Sequence, residues 1–245
     1  MEQQFQYYAF ISYKREDEKW AKWLQDRLRW YKLPSKLCRQ ITRLPKKVWP
    51  VFRDNTDLDS GRLEENIRHE LERSHYLIVI CSPEASRSPC VGKEVKYFAT
   101  LHGADKIIPF VVSGIPYSND IETECIHEQI KAISQEELLA INVREEGIGS
   151  FAMKKKRAFI RVVARLLDIK FNSLWPIYER ILRIRKWSTG IGVVLFLFVL
   201  FILWDYYRTK NEYFADYVDR WGIPEGVVEL SAEQVKKRST HYRFE

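Results

Sequence analysis

The amino-acid sequence predicts an α/β domain on a five-stranded parallel sheet, followed by one transmembrane helix and a short tail. Two observations lead there. Short runs rich in Val, Ile, Tyr and Phe alternate with helical patterns as far as residue 168. Beyond them lies an uncharged run of 18 residues, Trp187 to Trp204, with Gly192-Val-Val-Leu-Phe-Leu-Phe-Val-Leu-Phe-Ile-Leu203 at its heart.

The elements follow in order. Residues 6–13 read as a buried strand. Lys14 to Tyr31 reads as a helix with Trp20, Leu24, Leu28 and Tyr31 on one side. Val48 to Phe52 is a short strand with Pro50 as an awkward member. Leu63, Ile67 and Leu71 recur at i+4 and mark a second helix. Tyr76 to Cys81 is the clearest strand. Ser88-Pro89 reads as an N-cap and first helical position, so a helix opens there. Lys106 to Val112 and Leu138 to Val143 are the last two strands, and a helix from Phe151 to about Leu167 closes the unit. Strands joined by helices make a parallel sheet covered on both faces. Five of them fit a flavodoxin-like order, 2-1-3-4-5, whose ligand crevice lies at the carboxyl ends of strands 1 and 3. Those ends, Ser12-Tyr13-Lys14-Arg15 and Cys81-Ser82-Pro83, should bring Lys14, Arg15, Ser82 and the Glu94 helix together.

Glu94 is the foremost candidate for chemistry. Positions 90, 94, 97, 98 and 101 fall on one helical stripe as Cys, Glu, Tyr, Phe and Leu. A carboxylate on an apolar stripe needs a partner or a task. The other reading rotates the helix so that Glu94 borders solvent.

Hydrophobic residues make up 46% of the 245 and aromatics 14%, enough for one real core plus appendages. The net charge of +7 concentrates in Met153-Lys-Lys-Lys-Arg157 and in Arg180 to Lys186. Beside an apolar span this charge suits anionic lipid headgroups rather than nucleic acid, for which the sequence shows no aromatic-basic platform. A solvated basic face is the alternative. Cys38, Cys81, Cys90 and Cys125 form no CxxC pair and no metal spacing with the five histidines, which reads as a reduced cytosolic set with no metal site.

The apolar run covers about 27 Å at ~1.5 Å per residue. Trp187 at one end and Trp204, Tyr206 and Tyr207 at the other make aromatic belts. Lys170, Arg180, Arg183, Arg185 and Lys186 precede it, against Arg208, Lys210 and Arg220 after it. That bias places the N-terminal domain in the cytoplasm of a single-pass cell-membrane protein. No signal-peptide pattern opens the chain, in agreement. The expected divisions are a domain at 1–170, a basic juxtamembrane helix at 171–186 resuming after a break at Pro176, a transmembrane helix at 187–207 and an extracytoplasmic tail at 208–245. The ending does not read as a natural terminus, so a longer native chain is expected.

Three segments together resemble one family. Phe10-Ile-Ser-Tyr-Lys-Arg15 resembles the first box of Toll/interleukin-1 receptor (TIR) domains. Val51-Phe-Arg-Asp-Asn-Thr-Asp-Leu-Asp-Ser-Gly61 resembles their second box and BB loop. Ile78-Val-Ile-Cys-Ser-Pro83, followed by Cys90-Val-Gly-Lys-Glu94, resembles the strand and helix that carry the family's glutamate. The resemblance covers about residues 5–168.

It implies an NAD glycohydrolase that cleaves the nicotinamide–ribose bond, with NAD as substrate and no cofactor. Glu94 then faces the ribose and stabilises an oxocarbenium-like centre, as glycosidase carboxylates do. Lys14 and Arg15 match positions that line the nucleotide, the two cations suiting its pyrophosphate, Asp54 and Leu63 match second-box positions that border the cleft, and Cys90 stands four residues before the glutamate; Ser12 and Ser82, at the strand ends, are expected to join them in binding the substrate. The family often has Trp where Cys90 stands. The resemblance also implies self-association through TIR domains and a setting in bacterial antiphage defence. Two alternatives stay open: a non-enzymatic TIR scaffold, and a receptor whose tail meets an outside ligand or partner.

Overall fold

The computed structural model describes residues 5–34, 45, 47–53, 61–133, 139–144 and 149–221, although the side chains at 61–64, 185–186 and 211–221 are not among them. Asp54, the loop around it, the Leu63 side chain and the end of the tail therefore lie outside the described residues. The chain divides into two compact units, Met1–Ile181 and Leu182–Glu245.

The first unit is the α/β domain. Its strands are β1 (Tyr7–Ser12), β2 (Val51–Arg53), β3 (Ser74–Cys81), β4 (Ile107–Val111) and β5 (Ile141–Asn142). They form one sheet in the order β2-β1-β3-β4-β5, every pairing parallel, as the sequence predicts. The helices are α1 (Glu18–Trp30), α2 (Gly61–Glu72), α3 (Pro83–Ser86), α4 (Pro89–His102), α5 (Glu128–Ile133), α6 (Phe151–Leu166) and α7 (Phe171–Trp221).

Strand alternation sorts the core onto two faces. Ala9, Ile11, Ile78, Ile80, Ile108 and Phe110 face one way, into a cluster with Leu24 and Leu28 of α1 and Phe159 and Val163 of α6. Phe10, Leu77, Val79, Cys81, Ile107 and Val111 face the other way, against Leu71 of α2 and Val91, Val95 and Phe98 of α4. Both faces of β1, β3 and β4 are covered, which is why these strands read as unbroken apolar runs.

The end of α6 explains the change of direction there. Asp168 takes the left-handed conformation at φ 52°, Asp168 N–H donates to the Arg165 carbonyl, and Ile169 N–H donates to that of Ala164. This is a Schellman ending with Asp where Gly is usual.

Two expectations need correction. The buried stripe of α4 is Val91, Gly92, Val95 and Phe98, while Cys90 and Leu101 are exposed and Glu94 and Tyr97 are half-buried. The helix is turned from the expected phase because the sheet takes its β-branched residues. Second, no break occurs at Pro176, which lies inside α7. A proline in the second turn forfeits one backbone hydrogen bond. Burial of Leu174 and Trp175 just before it offsets that loss. Through these residues the start of α7 packs in the core of the first compact unit, Met1–Ile181.

The basic run of α6 is packed rather than solvated. Lys155 Nζ sits 4.2 Å and 4.1 Å from the ring centres of Trp20 and Trp23. The Arg157 guanidinium lies 4.7 Å over Trp175, and that of Arg161 lies 4.9 Å over Phe171. Burial, helped by Arg27, pushes the Lys155 ammonium below its usual value.

The second unit is the remainder of α7 and the residues that follow it. Its apolar side chains from Val193 to Leu203 are exposed, and α7 is long and apolar enough to cross a membrane.

Candidate functional site

Two Ser-Pro pairs prepare the site. Ser82 ends the β3 segment and caps α3, its Oγ accepting from Ala85 N–H at 3.1 Å. Ser88 precedes Pro89 at the start of α4, but its hydroxyl makes no capping bond. The fourteen residues of α4 then carry Glu94 along the sheet face built by Leu77, Val79 and Val111.

Glu94 opens into a cavity of about 490 Å³ between α2 and α4. Its described walls are Ile67, Arg68 and Leu71 from α2 and Lys93, Lys96, Tyr97 and Thr100 from α4. Arg68 lies 5.5 Å over the Tyr97 ring, and the Tyr97 hydroxyl donates to Glu72. That hydrogen bond is the main reason the Tyr97 phenol is held above its usual value. One carboxylate among three cations and an aromatic ring can receive a phosphorylated ligand and present negative charge to a cationic centre in it.

The strand ends hold a second group of side chains. Ser12, Asp17 and Ser82 are all buried where β1 and β3 finish. The Ser82 hydroxyl donates to Asp17 Oδ2, and Ser12 Oγ has no hydrogen-bond partner among the described residues. Burial raises the Asp17 carboxyl above its ordinary value, opposed in part by the Ser82 bond. Lys14, half-buried, leads into a single 3₁₀ turn that begins at the exposed Arg15. At the end of β2, Arg53 donates to Gln25 Oε1 and to the Tyr13 hydroxyl, each at 3.1 Å.

Among the described residues, then, the fold brings Ser82 onto Asp17 at the strand ends, where Ser12 ends β1 and Lys14 and Arg15 follow it in the chain. None of Ser12, Lys14, Arg15 and Ser82 lines the cavity that holds Glu94, and nor does Cys90. Asp17 and Arg53 carry the polar structure of the strand ends and were not singled out in the sequence. Asp17 lies in Arg15-Glu-Asp-Glu18, inside the run from Lys14 that reads as a helix, and only its contact with Ser82 marks it. No group of His, Cys, Asp and Glu among the described residues is arranged to hold a metal ion. The described cysteines, Cys81, Cys90 and Cys125, are free thiols.

The chain is 34% identical over 110 residues to a protein from Actinoplanes sp. (strain ATCC 31044 / CBS 674.73 / SE50/110) named NAD(+) hydrolase ApTIR. The match takes in 44% of this chain and only 14% of that relative's length. Among solved structures, the TIR domains of the activated Roq1 resistosome directly recognizing the pathogen effector XopQ align with 63% of this chain and 98% of their own. Identity there is 13% and the TM-score 0.41. The TIR domain family model matches residues 9–137, more than half of the chain, and the chain belongs to the TIR domain family.

Proposed function

We propose that this TIR domain is an NAD⁺ glycohydrolase with Glu94 as its catalytic carboxylate. The observation that carries the reading is Glu94 itself, half-buried in a cavity walled by Arg68, Lys93, Lys96 and Tyr97. A relative named NAD(+) hydrolase, 34% identical over 110 residues, supports it. In the step proposed, the glycosidic bond between C1′ and the nicotinamide nitrogen breaks, and its electron pair leaves with nicotinamide. The Glu94 carboxylate stabilises the oxocarbenium-like ribose, and water adds at C1′ with loss of a proton. Cations on the cavity wall hold the pyrophosphate, joined by Lys14 and Arg15 at the strand ends. Ser12, Asp54, Leu63, Ser82 and Cys90 border the nucleotide in this reading.

The test is direct. Full-length protein in detergent is incubated with NAD, and nicotinamide is measured. Wild type should release it, and Glu94→Gln should lose at least about a hundredfold in rate, the scale of a lost electrostatic stabiliser. Its melting temperature should not change. A Gln variant that turns over like wild type removes Glu94 from the chemistry. A wild type that releases no nicotinamide leaves the non-enzymatic scaffold.

The apolar part of α7 supports a single-pass anchor in the cell membrane, with the α/β domain cytoplasmic and the tail outside, free to meet a ligand or partner. Cysteine labelling of intact cells should reach residues near 245 and not residues 1–170; the opposite pattern reverses the topology. Anchored domains share a thin layer, so TIR–TIR association follows at high effective concentration. Specific activity should therefore climb on tethering to liposomes, and a flat response would mean that single domains are complete. An NAD-consuming response of this kind suits bacterial antiphage defence.

A further inference from the structure

Lys14 and Arg15 stand in the chain between two anchored residues. After them, Asp17 is tied to the end of the β3 segment by the Ser82 hydroxyl. Before them, Tyr13 is tied to β2 by Arg53, whose Nη1–H donates to the Tyr13 hydroxyl at 3.1 Å. We propose that Arg53 is a positioning residue, which acts through Tyr13 to hold the turn that offers Lys14 and Arg15 to the pyrophosphate of the substrate. The part played by the substrate rests on the reading given above, whereas the hold on the turn does not.

The surroundings of Arg53 suit a brace rather than a direct contact with an anion. Its side chain is 8% exposed. Its Nε–H donates to Gln25 Oε1 at 3.1 Å, and Nη1 also lies 3.4 Å from Glu18 Oε1. The guanidinium carbon lies 5.7 Å from the centre of the Tyr13 ring. The amide that receives Arg53 is itself fixed, because Gln25 Nε2–H donates to the Val51 carbonyl at 3.1 Å. β2 is an outermost strand, and its neighbouring Pro50 carbonyl accepts from Tyr8 N–H. Carbonyls alternate in direction along a strand, so that of Val51 points off the open edge of the sheet, where Gln25 covers it. One planar fork of donors therefore joins β2, α1 and the residue after β1. A lysine ammonium is a single point charge and cannot serve Gln25 and Tyr13 in the same way.

Tyr13 passes the hold to the cations. It is half-buried and packs against the core cluster that contains Leu24 and Leu28 of α1. A tyrosine side chain has only two torsions, so fixing its hydroxyl restrains the backbone that enters the turn. There Asp17 N–H donates to the Lys14 carbonyl at 2.8 Å and closes the turn. Lys14 is half-buried and Arg15 exposed, and each loses rotamer freedom when it meets a phosphate. A backbone held at both ends confines that loss to the two side chains. Without the brace, binding must order the turn as well.

Two measurements on full-length protein in detergent test the brace: steady-state kinetics with NAD, and hydrogen exchange of the Asp17 amide without it. Tyr13→Phe and Arg53→Met should each raise KM by about three- to tenfold and change kcat by less than about twofold. Arg53→Lys, which keeps the charge, should be as weak as Arg53→Met. The double variant Tyr13→Phe/Arg53→Met should be no weaker than Arg53→Met alone, because both changes break one linkage. The Asp17 amide should exchange faster in every variant. A wild-type KM in Arg53→Lys would mean that the charge acts on the substrate directly, and overturns the proposal. A wild-type KM in Tyr13→Phe, a lowered melting temperature with KM unchanged, or unchanged exchange would each overturn it too. If wild type releases no nicotinamide, exchange still decides the hold on the turn, and only the reading of the substrate falls.

Discussion

Ser82 donates its hydroxyl hydrogen to Oδ2 of Asp17, and this bond ties the residue after β3 to the turn after β1. The same oxygen accepts from Ala85 N–H, so one hydroxyl joins two strand ends and starts a helix. A buried carboxyl with few partners is costly to ionise.

Asp17 should make stability depend on pH. Burial raises its native value above the ordinary 3.8. The native state then holds the proton more tightly than the unfolded chain. That contribution is complete below pH 3.8 and is lost as pH climbs through the raised native value. Asp17→Asn should flatten this decline and match or exceed wild type at pH 7. Thermal melts between pH 3.5 and 7.5 decide it: a wild-type–variant difference that stays constant with pH would mean that the carboxyl is unshifted. Ser82→Ala should cost about 1–3 kcal/mol, because it leaves the buried carboxyl short of a donor.

Gly92 should tolerate nothing larger. An added methyl would collide with the His127 ring, whose Nε2 would stand only 2.7 Å away. Gly92→Ala should destabilise by about 1–3 kcal/mol, the usual cost of overpacking. His127→Ala in the same chain should return part of that loss. Chemical denaturation of the two single variants and the double variant gives the coupling, and simple additivity would show that the ring yields freely.

The first turns of α7 belong to the domain core. Trp175 is 9% exposed, lies under the Arg157 guanidinium and packs in the cluster that holds Phe159. Trp175→Ala should cost about 3–5 kcal/mol. Arg157→Ala should cost about 0.5–2 kcal/mol. Scanning calorimetry of the full chain measures both. Changes below about 0.5 kcal/mol, ordinary for surface positions, would place this segment outside the core.

Lys14 and Arg15 should act on binding. They stand at the end of β1, where a doubly wound sheet receives its ligand. In the proposed reaction, Lys14→Ala and Arg15→Ala should raise KM for NAD severalfold and change kcat less. Steady-state kinetics with unchanged KM in both would take them out of the substrate site.

The strands were legible because parallel strands buried on both faces must be apolar throughout. Ser74 to Cys81 contains only one residue that is not buried, His75. The Ser12 and Ser82 strand ends followed from topology, and Glu94 from the segment around it. The phase of α4 was not legible. Cys90 and Leu101 are apolar yet exposed, and Gly92 is buried because a distant histidine lies on it. α5, six residues long, is too short to show a helical period. Pro176 read as a break because the burial of Leu174 and Trp175 is a tertiary fact that local pattern does not carry.

The all-parallel sheet sets a schedule for biosynthesis. β1 lies between β2 and β3, pairing Ala9 with Val51 and Tyr7 with Ser74. It can form no hairpin with its neighbour in sequence, so the first strand made waits for partners made much later. The end of β3, at Cys81, emerges 69 residues after Ser12. At about 5–20 residues per second, that leaves Phe10 and Ile11 uncovered for roughly 3–14 s on the ribosome. During that interval the nascent chain carries an apolar strand without its β3 partner, and the holding chaperones that meet it first would meet it there.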